Sequence, residues 1–233
     1  MTFILGVNYW PRKANIRMWS RWSREEVAEE LKRMKELGIN AVRAFLLAVD
    51  VVGDDGRLRN DAAVRIKEFL DEASVNGIKV YLTLIVGHMS GKNWPLPWDP
   101  ASEVYTSKAC EGALNFILSV VERFKGHKAL GGWVVSNEIT HIRRPETVEE
   151  FRCWLRSIYL AIKRLDPEHP ISLGDGTSLL ALNHIHLYPS NVSDLVDYLS
   201  PHLYIYDDDP VRHTYSYAAI LEHARSIKKA VIL

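Results

Sequence analysis

Leu130-Gly131-Gly132-Trp133-Val134-Val135-Ser136-Asn137-Glu138-Ile139-Thr140-His141 is a short apolar run that opens on two glycines and leads to an amide beside a carboxylate. An apolar run of this length without polar alternation is how a parallel strand buried on both faces reads, and here the polar pair falls at its carboxyl end. In folds that alternate strands and helices, chemistry collects at that end. Glu138 is therefore the first residue to consider for catalysis, and the fold turns on what surrounds its strand.

Upstream, strand and helix alternate three times. Phe3 to Tyr9 reads as a strand, apolar until Asn8, followed by an aromatic and basic loop with Trp10, Trp19 and Trp22. Ser23 with Glu26 is a capping box, and Val27, Leu31, Met34 and Leu37 repeat at helical spacing until Gly38. Ala41 to Leu46 is a second strand. Asn60 to Ser74 is a second helix, with Val64, Ile66, Phe69 and Leu70 as its apolar face and Gly77 beyond its end. Lys79 to Val86 is a third strand, and a long loop from His88 to Tyr105 precedes the helix Thr106 to Phe124.

Downstream the alternation continues. Thr147 to Leu165 is a helix, Ile171 to Leu173 a short strand, and a helix falls within Asn191 to Tyr198. Leu199 to Tyr206 is a sixth strand, Tyr215 to Lys229 a helix, and Ala230 to Leu233 opens a seventh strand. Strand–helix units at roughly 30 to 45 residues, without flexible linkers, predict a parallel sheet with helical crossovers. A doubly wound sheet would carry a glycine-rich phosphate loop after its first strand, but Asn8-Tyr9-Trp10-Pro11-Arg12 is bulky. The expected fold is an α/β TIM barrel, (β/α)₈, as a single domain over residues 1–233. It is incomplete, because about six and a half units use up the 233 residues. Open edge strands then call for completion by a second polypeptide or a second copy, or reflect a lost segment.

Composition narrows the function. Lys plus Arg and Asp plus Glu are balanced at 29 each, which leaves no electrostatic footprint for nucleic acid or an acidic membrane. Cys110 and Cys153 lie far apart in helical patterns and read as buried thiols rather than a disulfide or metal framework. Neither a signal peptide nor a membrane span is visible, so the chain is expected to be cytoplasmic, or a secreted chain with its signal removed. No cofactor motif is present.

The strand ends bring together Asn8, Arg43, His88, Asn137, Glu138, His202 and Tyr204. Taken singly, each histidine reads as a hydrogen-bonded loop residue and Asn8 as a strand-end cap; at one barrel face they read as a site. Arg43 sits inside a short apolar strand, where a guanidinium must find a carboxylate or several acceptors. Trp133 and Trp154 read as core. Trp10, Trp19, Trp22, Trp94 and Trp98 fall on loops of the same face, where they either stack on sugar rings or pack the loops.

These residues carry a resemblance. Arg43 after strand two, Trp133 to Glu138 on strand four, and His202-Leu203-Tyr204 on strand six resemble the retaining glycoside hydrolases of the (β/α)₈ clan, closest to the family 5 cellulase and mannanase group. The resemblance implies a glycosidase acting on β-linked poly- or oligosaccharide, with Glu138 as general acid/base and Asn137 on the sugar 2-hydroxyl. Arg43, His202 and Tyr204 would orient a second carboxylate, the nucleophile. His88 would correspond to a histidine after strand three, and Trp10 would line the substrate.

In that family the nucleophile is a glutamate at the end of strand seven, a position this sequence stops short of. One carboxylate cannot both protonate the leaving group and attack the anomeric carbon. Asp175 and the run Asp207 to Asp209 are possible substitutes, although the run reads more simply as a solvated turn. Two other readings stay open. One is a non-catalytic carbohydrate-binding protein derived from such a barrel. The other is a metal-dependent hydrolase using His88, His184, His186 and the aspartates, or a metal held by Asp207 to Asp209 with His213.

Overall fold

The computed structural model describes residues 3–174, 189–202 and 210–231. Five parallel strands lie side by side in the order β1 (Gly6–Asn8), β2 (Ala41–Phe45), β3 (Lys79–Val86), β6 (Leu130–Asn137) and β7 (Ile171–Ser172). Between β3 and β6, a two-stranded antiparallel hairpin of β4 (His88–Met89) and β5 (Lys92–Asn93) projects from the long loop. β8 (Tyr198–Leu199) and β9 (Ala230–Val231) form a further parallel pair. Asp197, next to β8, joins the pair to β7: its amide donates to the Ile171 carbonyl at 2.7 Å and its Oδ2 accepts from the Ile171 amide at 2.8 Å. Strand then helix throughout, with neighbours in sequence order, makes this a partial (β/α)₈ barrel.

The crossover helices are α1 (Arg24–Glu36), α3 (Asn60–Val75), α4 (Ser107–Phe124), α5 (Val148–Leu165) and α6 (Pro210–Ser226), with a one-turn α2 (Ala48–Val51) after β2. Three helices begin where a hydroxyl can take an orphan amide. The side chains of Ser23, Thr106 and Thr147 accept from the amides of Glu26, Ala109 and Glu150. The capping box at Ser23 is only half formed, because Glu26 turns its carboxylate to the Lys13 amide at 2.7 Å. On α3 the buried positions are Ala62, Ala63, Ile66, Phe69, Leu70 and Ala73, while Val64, expected on the apolar face, is 54% exposed. The small alanines bring that helix close to the sheet.

Alternate strand positions face the helices. Val42, Ala44, Val80, Leu82, Leu84, Trp133, Val135 and Ile171 are fully or almost fully buried in one continuous apolar cluster with the helix faces. At the amino-terminal end of the strands, Asp166 closes this core from beyond α5. Its Oδ2 accepts from Trp133 Nε1 at 2.8 Å and lies 2.8 Å from His169 Nδ1.

Several expectations are corrected in detail. The helix expected within Asn191 to Tyr198 is a 3₁₀ segment, Pro189–Leu195, longer than such runs usually are. α6 begins at Pro210 rather than Tyr215, since proline suits a first helical turn. The thiols are not both buried: Cys153 is exposed and Cys110 half-buried. Among the described residues no helix is long and apolar enough to cross a membrane.

Candidate active site

Glu138 leaves β6 in the left-handed region, at φ 53° and ψ 46°, an uncommon backbone for a residue with a side chain. The bend turns its carboxylate inward and starts a 3₁₀ turn, Ile139–His141. Two glycines make room. A Cβ on Gly87 would lie 2.7 Å from the Ile139 Cα, and one on Gly174, at φ +79°, would collide with the Ser136 carbonyl and lie 2.8 Å from the Arg43 guanidinium. Backbone bonds from Gly87 N to Asn137 O at 2.9 Å and from Glu138 N to Gly174 O at 3.2 Å hold the bend between the neighbouring strands.

Arg43 projects from β2 into this space. Its Nε donates to Thr83 Oγ1 at 2.9 Å, and its terminal nitrogens reach His202 Nε2 at 2.8 Å, Asn137 Oδ1 at 3.0 Å and the Ser136 carbonyl at 3.3 Å. Among the described residues its partners are several acceptors. A guanidinium has no acceptor, so Nε2 of His202 must accept and its proton must sit on Nδ1. Nδ1 lies 2.9 Å from Glu138 Oε1, and the pair is a guanidinium–imidazole–carboxylate array with one consistent direction of donation.

This array sets the protonation states. Burial alone would raise the Glu138 carboxyl, but the hydrogen bond and charge of His202, with the charges of His141 and His88, outweigh it and hold the group below the ordinary carboxylate range. Burial lowers His202, and the Arg43 charge adds to that against the opposing pull of Glu138. At neutral pH the site thus holds an ionised glutamate beside a neutral imidazole.

Asn137 is fixed at both ends, with Oδ1 on Arg43 and Nδ2 donating to the His88 carbonyl at 2.6 Å. His88, at the base of the hairpin, places Nδ1 2.7 Å from Asn93 Oδ1, and Asn93 Nδ2 donates to the His141 carbonyl at 2.9 Å. The His88 and His141 rings stack with centroids 4.8 Å apart. On the other side Trp10 is partly buried against Phe45 at 5.7 Å, and the Arg43 guanidinium sits 4.8 Å from the Phe45 ring.

The structure therefore brings Arg43, Asn137, Glu138, His88 and His202 together, with Trp10 on the adjoining wall. Tyr204 lies outside the described residues, as do Asp175, His184, His186 and Asp207 to Asp209. The resemblance gave His202 to a second carboxylate, whereas here it is bonded to Glu138 itself. The other loop tryptophans follow the packing reading. Trp19 is fully buried, Trp94 is 6% exposed with its indole N–H on the Met89 carbonyl, Trp98 stacks on Phe116, and Trp22 donates to Glu68. Among the described residues no group of three or more His, Cys, Asp or Glu is placed to hold a metal ion.

Thr83, Asn93, Gly87, Gly174 and His141 escaped the sequence reading. Thr83 was detectable as the one aliphatic hydroxyl inside an apolar strand, and the Ser90-Gly91 turn, with φ 55° and 77°, was the available sign of the hairpin that carries Asn93. Nothing in the sequence marked His141, whose place depends on the bend at Glu138.

Solved structures share this fold. A Glu-to-Ala variant of GH5_18 from Streptomyces cattleya in complex with Manβ1-4GlcNAc superposes at a TM-score of 0.83, with 20% identity, over 94% of this chain and 57% of that one. The exo-β-1,4-mannosidase Op5Man5 from Opitutaceae bacterium strain TAV5 gives 0.77 and 25% identity over 86% of this chain and 38% of that one. The endo-1,4-β-mannanase of Rhizomucor miehei gives 0.70 and 18% identity over 98% and 76%. The chain thus spans little more than half the length of the first of these and less than half of the second. No curated protein matches it in sequence. A family model does match over residues 6–198, and by that match the chain belongs to the family described as a domain of unknown function, DUF4434.

Proposed function

We propose that this barrel belongs to a glycoside hydrolase that cleaves β-linked sugars by a retaining double displacement, with mannose-containing oligosaccharides as the first substrates to test. The observation that carries the reading is the Arg43–His202–Glu138 array at the carboxyl ends of the strands, with Asn137 beside it. The fold and the activities of two structural neighbours, a mannosidase and a mannanase, support the substrate class. Glu138 is the acid/base. Trp10 and Phe45 form the apolar wall for a sugar face, and Asn137 and His88 supply polar contacts to its hydroxyls.

Double displacement needs a second carboxylate about 5 to 5.5 Å from the first. Among the described residues, the groups that lower Glu138 against its burial are imidazoles. Its present low proton affinity suits the base step, and the acid step requires the negative charge of a nucleophile beside it. We place that nucleophile on polypeptide that completes the barrel, whether the continuation of this chain, a second polypeptide or a second copy. Aryl β-mannosides, mannobiose and cello-oligosaccharides offered to the full-length protein should be hydrolysed, while residues 1–233 alone show little turnover. Strong turnover by residues 1–233 alone would contradict the need for an external carboxylate. Sugar binding by the full-length protein without any turnover would favour a carbohydrate-binding role instead.

A further inference from the structure

The loop that leaves β1 carries Trp10, and one carboxylate on α1 grips the chain on both sides of it. Glu30 accepts from the Tyr9 hydroxyl at 2.9 Å through Oε2 and from the Arg12 amide at 3.0 Å through Oε1. Glu26, one helical turn earlier, takes the Lys13 amide at 2.7 Å, and the Tyr9 amide donates to the Arg43 carbonyl at 2.9 Å. Tyr9 is buried, with its ring stacked on Phe69 of α3 at 5.7 Å. Trp10 is only partly buried and meets Phe45, whose ring also lies 4.8 Å from the Arg43 guanidinium. The far part of the loop has anchors of its own. The Trp19 indole N–H donates to the Phe45 carbonyl at 2.6 Å, and Arg17 reaches Asp50 of α2 at 2.5 and 3.0 Å. The two bonds of Glu30 therefore act on the short stretch that carries Trp10.

We propose that Glu30 is a positioning residue for substrate binding: by tying Tyr9 and Arg12 to α1 it fixes the Trp10 ring against Phe45, beside Arg43, and so presets the wall on which a sugar face stacks. The proposal rests on the reading of Trp10 and Phe45 as the sugar-facing wall. A ring held in place before the sugar arrives has little freedom left to lose, whereas a loosened loop has to be ordered by the ligand at the expense of affinity. Glu30 touches no part of the Arg43–His202–Glu138 array directly, and its effect reaches the site only through the loop.

The test follows the Trp10 indole N–H resonance by NMR, assigned by its loss in Trp10→Phe, and sugar binding by calorimetry with mannobiose and cello-oligosaccharides. Both are measured on the full-length protein and on Glu30→Ala, Glu30→Gln and Tyr9→Phe. Glutamine keeps the clamp, because its Nε2 can donate to the Tyr9 oxygen while its Oε1 accepts from the Arg12 amide. The expected result is a displaced Trp10 resonance and about tenfold weaker binding in Glu30→Ala, with Glu30→Gln near wild type in both. Tyr9→Phe breaks one of the two bonds and strands no buried donor, so it answers even where Glu30→Ala fails to fold; it should move both readouts the same way by less. A Trp10 resonance left in place by the alanine and phenylalanine variants overturns the proposal. Unchanged affinity beside a displaced resonance overturns it too, and reduces Glu30 to a structural contact. If wild type binds none of these sugars, the sugar-wall reading fails, and the resonance alone then decides whether Glu30 positions Trp10.

Discussion

Glu138 and His202 hold charge states that cost stability as pH falls. Burial and the Arg43 charge depress His202 in the fold, so the unfolded chain takes up its proton first, and stability declines as pH drops below the ordinary imidazole range. Glu138 is depressed in its turn, chiefly because the His202 bond outweighs burial, and its contribution is present above the ordinary carboxylate range and lost as pH falls through its lowered value. Thermal unfolding should therefore show two successive losses on acidification. In Glu138→Gln the second should shrink without vanishing, since Asp61, Asp71, Asp166 and Asp194 are also held below the ordinary carboxylate range; a wild-type and variant pair with parallel pH curves would contradict the array. At this scale the sequence was legible in its polar residues, since Arg43, Asn137, Glu138 and His202 all stand out from apolar strands. It was not legible in the left-handed bend of Glu138 or in the space opened by Gly87 and Gly174, because those depend on neighbouring strands rather than on local propensity.

The elements divide the work between the two ends of the barrel. At the amino-terminal end, Asp166 caps α5 and accepts from the buried indole of Trp133, beside His169. Removing it strands a buried N–H, so Asp166→Ala should cost about 1–3 kcal/mol in denaturant unfolding while leaving sugar binding intact. A loss of sugar affinity with unchanged stability would contradict this assignment. Strand bounds such as Lys79–Val86, and the caps at Ser23, Thr106 and Thr147, follow from apolar periodicity and hydroxyl placement, which are local. The hairpin β4–β5, the burial of Trp19 and Trp94 and the stacking of the partly buried Trp98 do not, because loop aromatics are placed by whatever core they meet.

Across the whole molecule the alternation of strand and helix was readable, and it gives the partial (β/α)₈ barrel observed. Among the described residues β1 pairs only with β2, and β1 with the segment leading into it leaves Phe3 80%, Ile4 43%, Leu5 44% and Val7 37% exposed. In a closed barrel the eighth strand covers that edge. The proposed function puts the nucleophile on that closing polypeptide, so edge and chemistry would be completed together.

The central claim is that Glu138 is the acid/base of a retaining glycosidase. It is tested most directly by an activated aryl β-mannoside and the Glu138→Ala variant of the full-length protein, with and without azide. The account predicts that wild type hydrolyses the substrate, and that the variant loses about 10²–10⁴-fold in turnover. Azide should restore it by attacking the glycosyl-enzyme and releasing a β-mannosyl azide, since a small anionic nucleophile needs no base. Unimpaired hydrolysis by the variant, or rescue that yields the α-azide, would contradict it.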